Sequence, residues 1–352
     1  MVTFPSRPLG LAVALLVAVS LTAQSVNATL VLDWVTVGDP ANNMDAAQGG
    51  NAPYGAVTNT FQIMKFEFTN SQYAQFLNSI DPSGTNPYSV YSTAMATDAR
   101  GGIAKTGTAT GSLYTVKANM GDKPVNNVSW FDAARVANWL TNGATGTSST
   151  ETGAYTLNGA STGNAPSRTP GSTYYIPTEN EWYKAAFYKG GSANAGYWYY
   201  APQSTSGNNP LTVTANSTGI GSAGSTGNSA NYNNIAAWNG QSGNVTTVGT
   251  NGGPSAYGSF DMSGNVWEWN DLAGQGGIFG GNKGLRGGAW DSTLSRDLSS
   301  SYRAEVSPTF QYNGLGFRLA AVPEPSTCLM AAGGLACMAW MTTRRHSRCK
   351  VA

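Results

Sequence analysis

Two carboxylates within residues 260–269 are the side chains best suited to binding a metal ion. Asp261 and Glu268 lie on either side of a Ser-Gly-Asn turn at 263–265. Such a turn can point backbone carbonyls and both carboxylates at one hard cation, and Ca²⁺ favours irregular shells made of oxygen ligands. In the alternative interpretation, the two carboxylates accept hydrogen bonds from buried backbone donors, while the neighbouring tryptophans fill the core. The residues by themselves leave both interpretations open.

Thiol and imidazole chemistry is restricted to the C-terminal end of the chain. All three cysteines, Cys328, Cys337 and Cys349, lie there together with the single histidine, His346. Residues 29–325 therefore contain no thiol and no imidazole. This excludes Ser-His-Asp and Cys-His nucleophiles, zinc sites with the usual ligands and histidine-bound iron from that part of the chain.

The charge balance points away from nucleic acid as a partner. The 352 residues include 19 Lys and Arg and 18 Asp and Glu, so there is no basic excess. Residues 29–325 alone hold 14 basic and 18 acidic residues, a net charge of −4. Only 11% of the chain is charged and 44 residues are glycine. This composition is typical of an exported surface protein.

The first 28 residues have the organisation of a signal peptide. Arg7 precedes an apolar run, Leu9–Leu21, and small residues at 26–28 match the preference of signal peptidase. The alternative is a transmembrane helix, for which the apolar run is short. We therefore expect residues 1–28 to be removed during export.

The last 31 residues have three parts in a defined order. Residues 322–326 read Val-Pro-Glu-Pro-Ser, an apolar stretch follows at Cys328–Trp340, and a basic cluster ends the chain at Arg344–Lys350. This arrangement resembles the PEP-CTERM sorting signal of bacteria. The resemblance implies export, transient insertion of this segment into the membrane, and cleavage near Pro-Glu-Pro by an exosortase. A plain C-terminal anchor is the alternative.

Residue spacing between these two ends predicts one loop-rich α+β domain. Alternating apolar residues predict strands over Asp33–Val37 and Thr60–Phe68. Residues 141–174 and 202–228 are dominated by Gly, Ser, Thr and Asn, which predicts long surface loops. Apolar residues at helical spacing, with polar N-cap residues before them, predict three helices: Ser71–Ile80 after Asn70, Trp130–Leu140 after Ser129, and a short helix beginning at Thr178 with Glu181 in a capping box.

Several short motifs occur in a characteristic order along residues 66–320. The motifs are Phe66-Glu67-Phe68-Thr69-Asn70, Lys123-Pro124-Val125-Asn126-Asn127-Val128-Ser129-Trp130, Pro177-Thr178-Glu179-Asn180-Glu181-Trp182, Asp261-Met262-Ser263-Gly264-Asn265-Val266-Trp267-Glu268-Trp269, Arg286-Gly287-Gly288-Ala289-Trp290 and Gly316-Phe317-Arg318-Leu319-Ala320. Together they resemble the sulfatase-modifying factor family, whose founding member is the formylglycine-generating enzyme.

The resemblance implies a fold and a division of the chain. The fold would be the formylglycine-generating-enzyme variant of the C-type-lectin-like fold, with little regular secondary structure. It would span residues 29–321, between a signal peptide at 1–28 and a PEP-CTERM tail at 322–352. Large aromatic residues usually bury their surface, so Trp182, Trp267 and Trp290 are predicted to fill the core.

The resemblance also implies a ligand set for calcium. Relatives bind calcium around the fourth motif, and the matching residues here are Asp261, Gly264, Val266 and Glu268. Gly264 and Val266 would contribute carbonyl oxygens. The ion would stabilise the fold and take no part in chemistry.

The catalytic residues of the family are missing at the positions that match them. The formylglycine-generating enzyme uses two cysteines, with copper and oxygen, to oxidise a cysteine of its substrate. Counting forward from the double glycine places them at Ser292 and Asp297; counting back from Tyr302-Arg303 places them at Leu294 and Ser299. Neither register contains a thiolate, and the histidines of iron-binding relatives are absent, so neither copper nor iron is expected. A nucleophilic Ser292 would need Lys283 or a carboxylate as its base, and no arrangement of residues singles out such a pair.

Three functions are compatible with this pattern. The first is an exported, exosortase-sorted, non-catalytic scaffold whose loops 141–174 and 202–228 bind a surface glycan or protein. The second is a diverged oxidoreductase of the same family, and the third is a structural component of the envelope. The expected partners are signal peptidase and exosortase, with no nucleic acid. The membrane is contacted only through the tail.

We predict that the mature protein on the cell surface begins after Ala28 and ends near Pro325. Signal peptidase and exosortase would each remove one end. The intact mass of protein recovered from the outer surface measures both cuts. A mass that still contains the basic cluster Arg344–Lys350 would contradict exosortase processing and leave a plain anchor.

Overall fold

The helices and strands are short, and irregular segments connect them. The computed structural model describes residues 30–46, 54–272 and 281–323. The elements of these residues are the helices α1 (Asn70–Ile80), α2 (Ala94–Thr97), α3 (Trp130–Thr141) and α4 (Glu179–Phe187), a 3₁₀ helix at Ser295–Leu298, and the strands β1 (Trp34–Val37), β2 (Phe61–Met64), β3 (Ile103–Lys105), β4 (Tyr114–Val116), β5 (Tyr174–Tyr175), β6 (Leu211–Thr212), β7 (Ser229–Ala230), β8 (Trp267–Asn270), β9 (Lys283–Arg286), β10 (Ala304–Val306), β11 (Leu315–Gly316) and β12 (Ala320–Ala321).

The predicted signal peptide and nearly all of the predicted sorting tail lie outside the described residues. Their sequence-based assignments therefore stay predictions. Among the residues that the structure does describe, no helix is long and apolar enough to cross a membrane.

Two four-stranded sheets form the framework. The first has the strand order β1-β2-β12-β5, and the second has the order β10-β9-β8-β11. Both predicted strands are present, although β2 ends at Met64, earlier than the predicted Phe68. In the second sheet, β8 pairs antiparallel with β9 and parallel with β11, which places Glu268 opposite Arg286 and beside Gly316. The chain's last motif is thereby brought against its fourth.

The three predicted helices form, and two of their three predicted caps are correct. Ser129 caps α3 and Thr178 caps α4, each through a capping box. The prediction of Asn70 as the cap of α1 is wrong: Thr69 caps that helix by accepting the Gln72 N–H. Asn70 instead uses its side-chain amide to donate to carbonyls of the segment 120–124, which ties α1 to the second motif. Thr69 and Asn70 are adjacent, and both are residue types that cap helices, so the sequence does not show which of them caps α1.

Large aromatic side chains fill the core, as predicted for two of the three named tryptophans. Trp182 is fully buried and Trp290 is nearly so, while Trp267 is only half-buried. Trp267 lies on β8 with its ring tilted against Tyr302, 5.9 Å between centroids. Its ring therefore contributes to the surface as well as to the core.

The two predicted loops carry little regular structure and are anchored by polar side chains. Arg135 of α3, which is fully buried, pairs with Glu151 at 2.8 Å, and Asn138 donates to the carbonyls of Thr150 and Tyr155. These bonds fix the start of loop 141–174 to α3. In loop 202–228, the Asn228 amide donates to two backbone carbonyls at 208–209. Internal amide contacts of this kind replace the ladder hydrogen bonds that an irregular backbone lacks.

Acidification is predicted to stabilise the fold, and Asp132 is one cause. Burial raises the pKa of this α3 carboxyl to about 6, although hydrogen bonds from Ser129 oppose the shift. A folded pKa above the unfolded value means that the stabilisation is fully present below about pH 4. It is then lost as the pH rises through about 6. Denaturant unfolding should show a stability that falls by up to about 1.4 kcal/mol per pH unit over this window.

The matched variants are Asp132→Asn and Asp33→Asn, the latter changing an exposed aspartate. Asp132→Asn should flatten the pH dependence without abolishing it, because other buried carboxyls titrate in the same sense. Asp33→Asn should leave the slope unchanged. An identical slope in wild type and Asp132→Asn would contradict the assignment.

Candidate functional site

A fully buried ion pair joins the fourth motif to the last one. Arg318 donates through Nε and Nη2 to the two carboxylate oxygens of Glu268, both at 2.7 Å. Neither side chain has any solvent exposure. Arg318 also donates to the backbone carbonyls of Met64, Lys65 and Phe260. Trp182 Nε1 donates to Glu268 Oε2. One guanidinium therefore holds β2, β8 and the turn before β8 in register.

Asp261, the other predicted carboxylate, is buried and bound by different donors. Its oxygens accept the backbone N–H of Gly249 at 2.5 Å and the side-chain amide of Asn251 at 2.9 Å. Burial raises the pKa of the Asp261 carboxyl, and these two hydrogen bonds oppose the rise. These contacts match the alternative interpretation, in which the carboxylates serve buried donors.

Glu67 adds a third carboxyl that the sequence pattern did not single out. It is fully buried, and its Oε2 accepts the Asn265 amide at 2.7 Å. Its Oε1 has no hydrogen-bond partner within the described part of the chain. Burial raises the pKa of Glu67 well above its usual range, and the charges of Asp261 and Glu268 raise it further. Three carboxyls thus share one guanidinium, and the group carries excess negative charge unless a proton or a cation neutralises it.

The turn between the two predicted carboxylates is held in a left-handed backbone conformation. Gly264 has φ of +88°, and a Cβ at this position would lie 2.4 Å from the Asn231 carbonyl oxygen. Asn265, at φ +67°, accepts the Thr246 N–H and donates to Glu67. The turn therefore serves as a packing junction in which glycine is required.

The structure does not place the predicted calcium ligands in an evident common shell. Glu268 is satisfied by Arg318 and Trp182, whereas Asp261 faces Gly249 and Asn251. Within residues 30–46, 54–272 and 281–323, no group of three or more His, Cys, Asp or Glu side chains is arranged to hold a metal ion. Calcium binding here stays a prediction.

A second buried ion pair fixes the segment that follows the double glycine. Arg286 on β9 pairs with Glu179 at the start of α4, 2.6 Å apart. The same guanidinium donates to the carbonyls of Ser300 and Tyr302. Residues 287–302, which include the positions of the family's catalytic cysteines, therefore form a loop clamped at its far end by Arg286.

Oxygen-bearing and apolar side chains occupy the positions that match the family's catalytic cysteines. Ser292 is buried, and its Oγ accepts the Ala289 N–H at 3.0 Å. Ser299 donates to the Arg296 carbonyl at 2.6 Å, while Leu294 is 55% exposed. Asp297 is partly buried, and burial raises its pKa. The soft thiolate donors that copper(I) prefers are missing, so this set of residues does not fit copper.

Lys283 is not placed to act as a base for Ser292. Its Nζ donates to Asp271 at 2.7 Å and lies over the Trp130 ring, 4.5 Å from the centroid. The Ser292 hydroxyl is engaged with backbone instead. A nucleophilic serine mechanism has no geometric support here.

Four aromatic side chains lie in or beside the 287–302 loop, and we call them the aromatic rim: Trp267, Tyr302, Phe310 and Tyr312. Phe310 is exposed and the other three are half-buried, and the exposed Leu294 lies between Trp267 and Tyr302 in sequence. The Trp267 ring contacts the Tyr302 ring, and the Trp267 backbone N–H donates to the Gly314 carbonyl. Tyr312 stacks on Phe310 and donates its hydroxyl to Asp291. Arg296 lies over the Tyr302 ring, 5.0 Å from its centroid. Phe310 is 45% exposed, so the rim offers solvent-accessible rings next to charged groups.

Sequence reasoning missed Arg318 as the partner of Glu268, and it missed Glu67, hydrogen-bonded to Asn265, as a third buried carboxyl nearby. Arg318 and Glu67 were present in the last and first motifs, about 250 residues apart. No periodicity links residues at that separation. The composition of the last motif could have indicated this contact. An arginine within the apolar sequence Gly-Phe-Arg-Leu-Ala is expected to be buried, and a buried arginine needs an acidic partner.

Comparison with protein families identifies the class. Residues 24–322 match the model of the sulfatase-modifying factor enzyme 1-like domain. The match covers most of the 352 residues, and the chain belongs to this family. No curated protein sequence matches the chain.

Solved structures give the fold. Treponema denticola variable protein 1 is 21% identical, with a TM-score of 0.51, and the match covers 82% of this chain and 95% of that one. CarF is 21% identical over 84% of this chain and 100% of its own, with a TM-score of 0.46. PvdO from Pseudomonas aeruginosa is 18% identical over 83% and 92%, with a TM-score of 0.42. The α+β, loop-rich architecture is that of the formylglycine-generating-enzyme fold.

The Arg318–Glu268 pair is predicted to be the most sensitive point of the fold. Arg318→Met would leave Glu268 charged and buried without its partner, which costs roughly 3–5 kcal/mol of unfolding free energy. Adding Glu268→Gln to this variant should recover at least about 1 kcal/mol, because the uncompensated charge is removed. Denaturant unfolding measures both values.

Arg296→Met is the matched control, because Arg296 is 62% exposed and its ion pair with Asp297 is long, at 3.8 Å. It should change stability by less than about 1 kcal/mol. Equal losses for Arg296→Met and Arg318→Met, or no recovery in the double variant, would show that the buried pair does not carry the stability assigned to it.

Proposed function

We propose that this protein is an exported surface protein whose sulfatase-modifying-factor-like domain binds a ligand and performs no catalysis. The observation that carries the proposal is the chemistry of the 287–302 loop. In either register its two key positions carry serine, leucine or aspartate, and Ser292 is hydrogen-bonded inward to backbone. Cysteine oxidation through an enzyme–substrate disulfide requires a thiol that residues 29–325 do not contain.

The aromatic rim is the proposed binding surface. Half-exposed Trp and Tyr rings present large, rigid contact area with few rotatable bonds, which is why such residues recur at binding hot spots. Arg296 and Asp291 lie beside these rings and offer hydrogen-bond donors and acceptors. Rings flanked by planar polar groups suit a saccharide, whose apolar face stacks on an aromatic ring while its hydroxyls bond to the polar groups. A surface glycan is therefore the ligand that this chemistry favours.

A rigid support is the second requirement of a binding scaffold. Arg286 clamps the carbonyls of Ser300 and Tyr302 from inside the domain. Loop 202–228 adjoins the same region, since Tyr200, just before it, forms a bridge with Ser299. The start of the predicted recognition loop therefore lies near the 287–302 loop, which carries Tyr302 of the rim. Pre-ordered surfaces lose less entropy on binding than flexible ones.

Export and sorting complete the proposal. Signal peptidase would act after residue 28, and an exosortase would act near Pro325 and contact the apolar segment Cys328–Trp340. The domain would then remain on the outer surface or in the extracellular matrix, with the membrane touched only through the tail.

A glycan array with wild-type protein, followed by affinity measurements on the bound sugars, tests the rim. Tyr302→Ala and Phe310→Ala each remove one ring of the aromatic rim and should weaken binding by roughly ten-fold, since truncating a hot-spot aromatic costs more than about 1 kcal/mol. Tyr174→Ala is the matched control, because Tyr174 is a half-buried ring on β5 of the other sheet. It should bind as wild type does.

Two outcomes would count against the scaffold. Glycan affinity lost equally in Tyr174→Ala and Tyr302→Ala would place the binding surface elsewhere. Stoichiometric copper or iron in purified protein, with consumption of oxygen, would favour the diverged oxidoreductase instead.

A structural calcium ion bound by Asp261, Gly264, Val266 and Glu268 is a separate proposal. The excess negative charge around Arg318 and the unpartnered Oε1 of Glu67 support a cation in this region. The donors already bound to Glu268 oppose it, because a cation would have to compete with Arg318. The ion would hold the turn before β8 and take no part in chemistry.

We predict a calcium-dependent rise in melting temperature if this proposal is correct. Native-state binding adds RT ln(1 + [L]/Kd), about 2.7 kcal/mol at a hundredfold excess over Kd, and extracellular sites often have Kd near 10⁻⁴–10⁻³ M. Thermal melts with chelator and with millimolar calcium measure the shift, which Glu268→Gln should reduce. No shift in wild type would leave the carboxylates as hydrogen-bond acceptors only.

A further inference from the structure

Four Asn-X-Ser/Thr sequences occur in the chain, at Asn27, Asn127, Asn216 and Asn244. This sequence is the acceptor for N-linked glycans in exported proteins. Asn27 lies outside the described residues. The other three differ sharply in their surroundings.

Asn127 and Asn244 are built into the interior. Asn127 is 4% exposed, and its amide donates to Asn126 Oδ1 at 3.0 Å. Asn244 is fully buried, with its Oδ1 accepting the N–H of Val245 and its own carbonyl accepting the Asn231 amide. A glycan on either nitrogen would require the core to open. A folded chain cannot carry one there.

Asn216 is exposed at the tip of a tight turn in loop 202–228. The turn is closed by Asn216 N–H to the Ile220 carbonyl and Gly219 N–H to the Asn216 carbonyl. Lys123 holds the turn from below by donating to the Thr218 carbonyl at 2.7 Å. The acceptor sequence is therefore displayed on a fixed base.

The side chain of Asn216 is arranged so that its oxygen is occupied and its nitrogen is not. Oδ1 accepts the Thr218 N–H at 3.0 Å, the Thr218 hydroxyl at 2.9 Å and the Ile220 N–H at 3.0 Å. Within the described part of the chain, Nδ2 makes no hydrogen bond. Three donors on Oδ1 stabilise the negative charge that develops on that oxygen when Nδ2 gives up its proton. The nitrogen is then the free nucleophile.

We propose that Asn216 is an N-glycosylation site. Nδ2 attacks the anomeric carbon of a sugar carried on a lipid diphosphate. The C–N bond forms, the C–O bond breaks, the lipid diphosphate leaves with the electron pair of that bond, and a base of the transferase takes the proton from Nδ2. The attached sugar would cover Ile220, an apolar side chain that is 45% exposed beside the acceptor. Such cover would lower the tendency of this exposed loop to associate with other surfaces.

The modification in the cell presupposes the export proposed above, whereas a reconstituted reaction does not. Purified, folded full-length chain is incubated with an oligosaccharyltransferase and a lipid-linked oligosaccharide, and peptide mass spectrometry locates the added mass. Of the three acceptor sequences in the described residues, we expect glycan on Asn216 and none on Asn127 or Asn244. An unmodified chain in a reaction that glycosylates a control acceptor peptide would overturn the proposal.

Matched variants test the acceptor geometry. Asn216→Gln and Thr218→Ala should each abolish the added mass, and Thr218→Ser, which keeps the hydroxyl donor, should retain it. Melting curves of the unmodified variants show whether each is folded. Glycan found on Asn127 or Asn244 of folded chain, or retained in Thr218→Ala, would contradict the assignment.

Discussion

The buried contact between Arg318 and Glu268 is the interaction on which the other parts of the structure depend. It connects the last motif of the chain to the fourth, and the same guanidinium reaches backbone carbonyls of Met64 and Phe260. A buried ion pair is costly to break, because removing one partner leaves an uncompensated charge in a medium that cannot solvate it. Short strands alone would not fix this register.

The second buried ion pair, Arg286–Glu179, also joins distant parts of the chain, and it lies next to the first. Glu268 and Arg286 face each other across β8 and β9, and each binds a partner from another element. Helix α4 and the 287–302 loop are thereby attached to the same sheet. This fold has few helical and strand residues. Buried charged side chains therefore bond to many of the backbone carbonyls that strand-to-strand hydrogen bonds would satisfy in a more regular fold.

This way of building the core leaves the outer surface free to vary. The loop in which family enzymes keep their cysteines is held by Arg286 from inside, whatever residues face outward. At the four candidate positions for those cysteines, Ser292 and Ser299 are buried, Asp297 is partly buried and Leu294 is exposed. A scaffold that keeps its buried charges and exchanges its surface chemistry is consistent with the proposed binding role, and function must be argued from the site because the fold alone does not fix it.

Local features of the fold were determined by the sequence alone. Residues such as Ser129 and Thr178 act on backbone within one helical turn, so their caps were predicted correctly, and the ordered motifs identified the family. The partners of Glu268 were decided by tertiary structure, because Trp182 and Arg318 lie 86 and 50 residues away in sequence and reach its carboxylate only in the assembled fold. Likewise, only the folded chain separates Asn216 from Asn127 and Asn244, since identical acceptor sequences differ in burial and burial is a property of the assembled core.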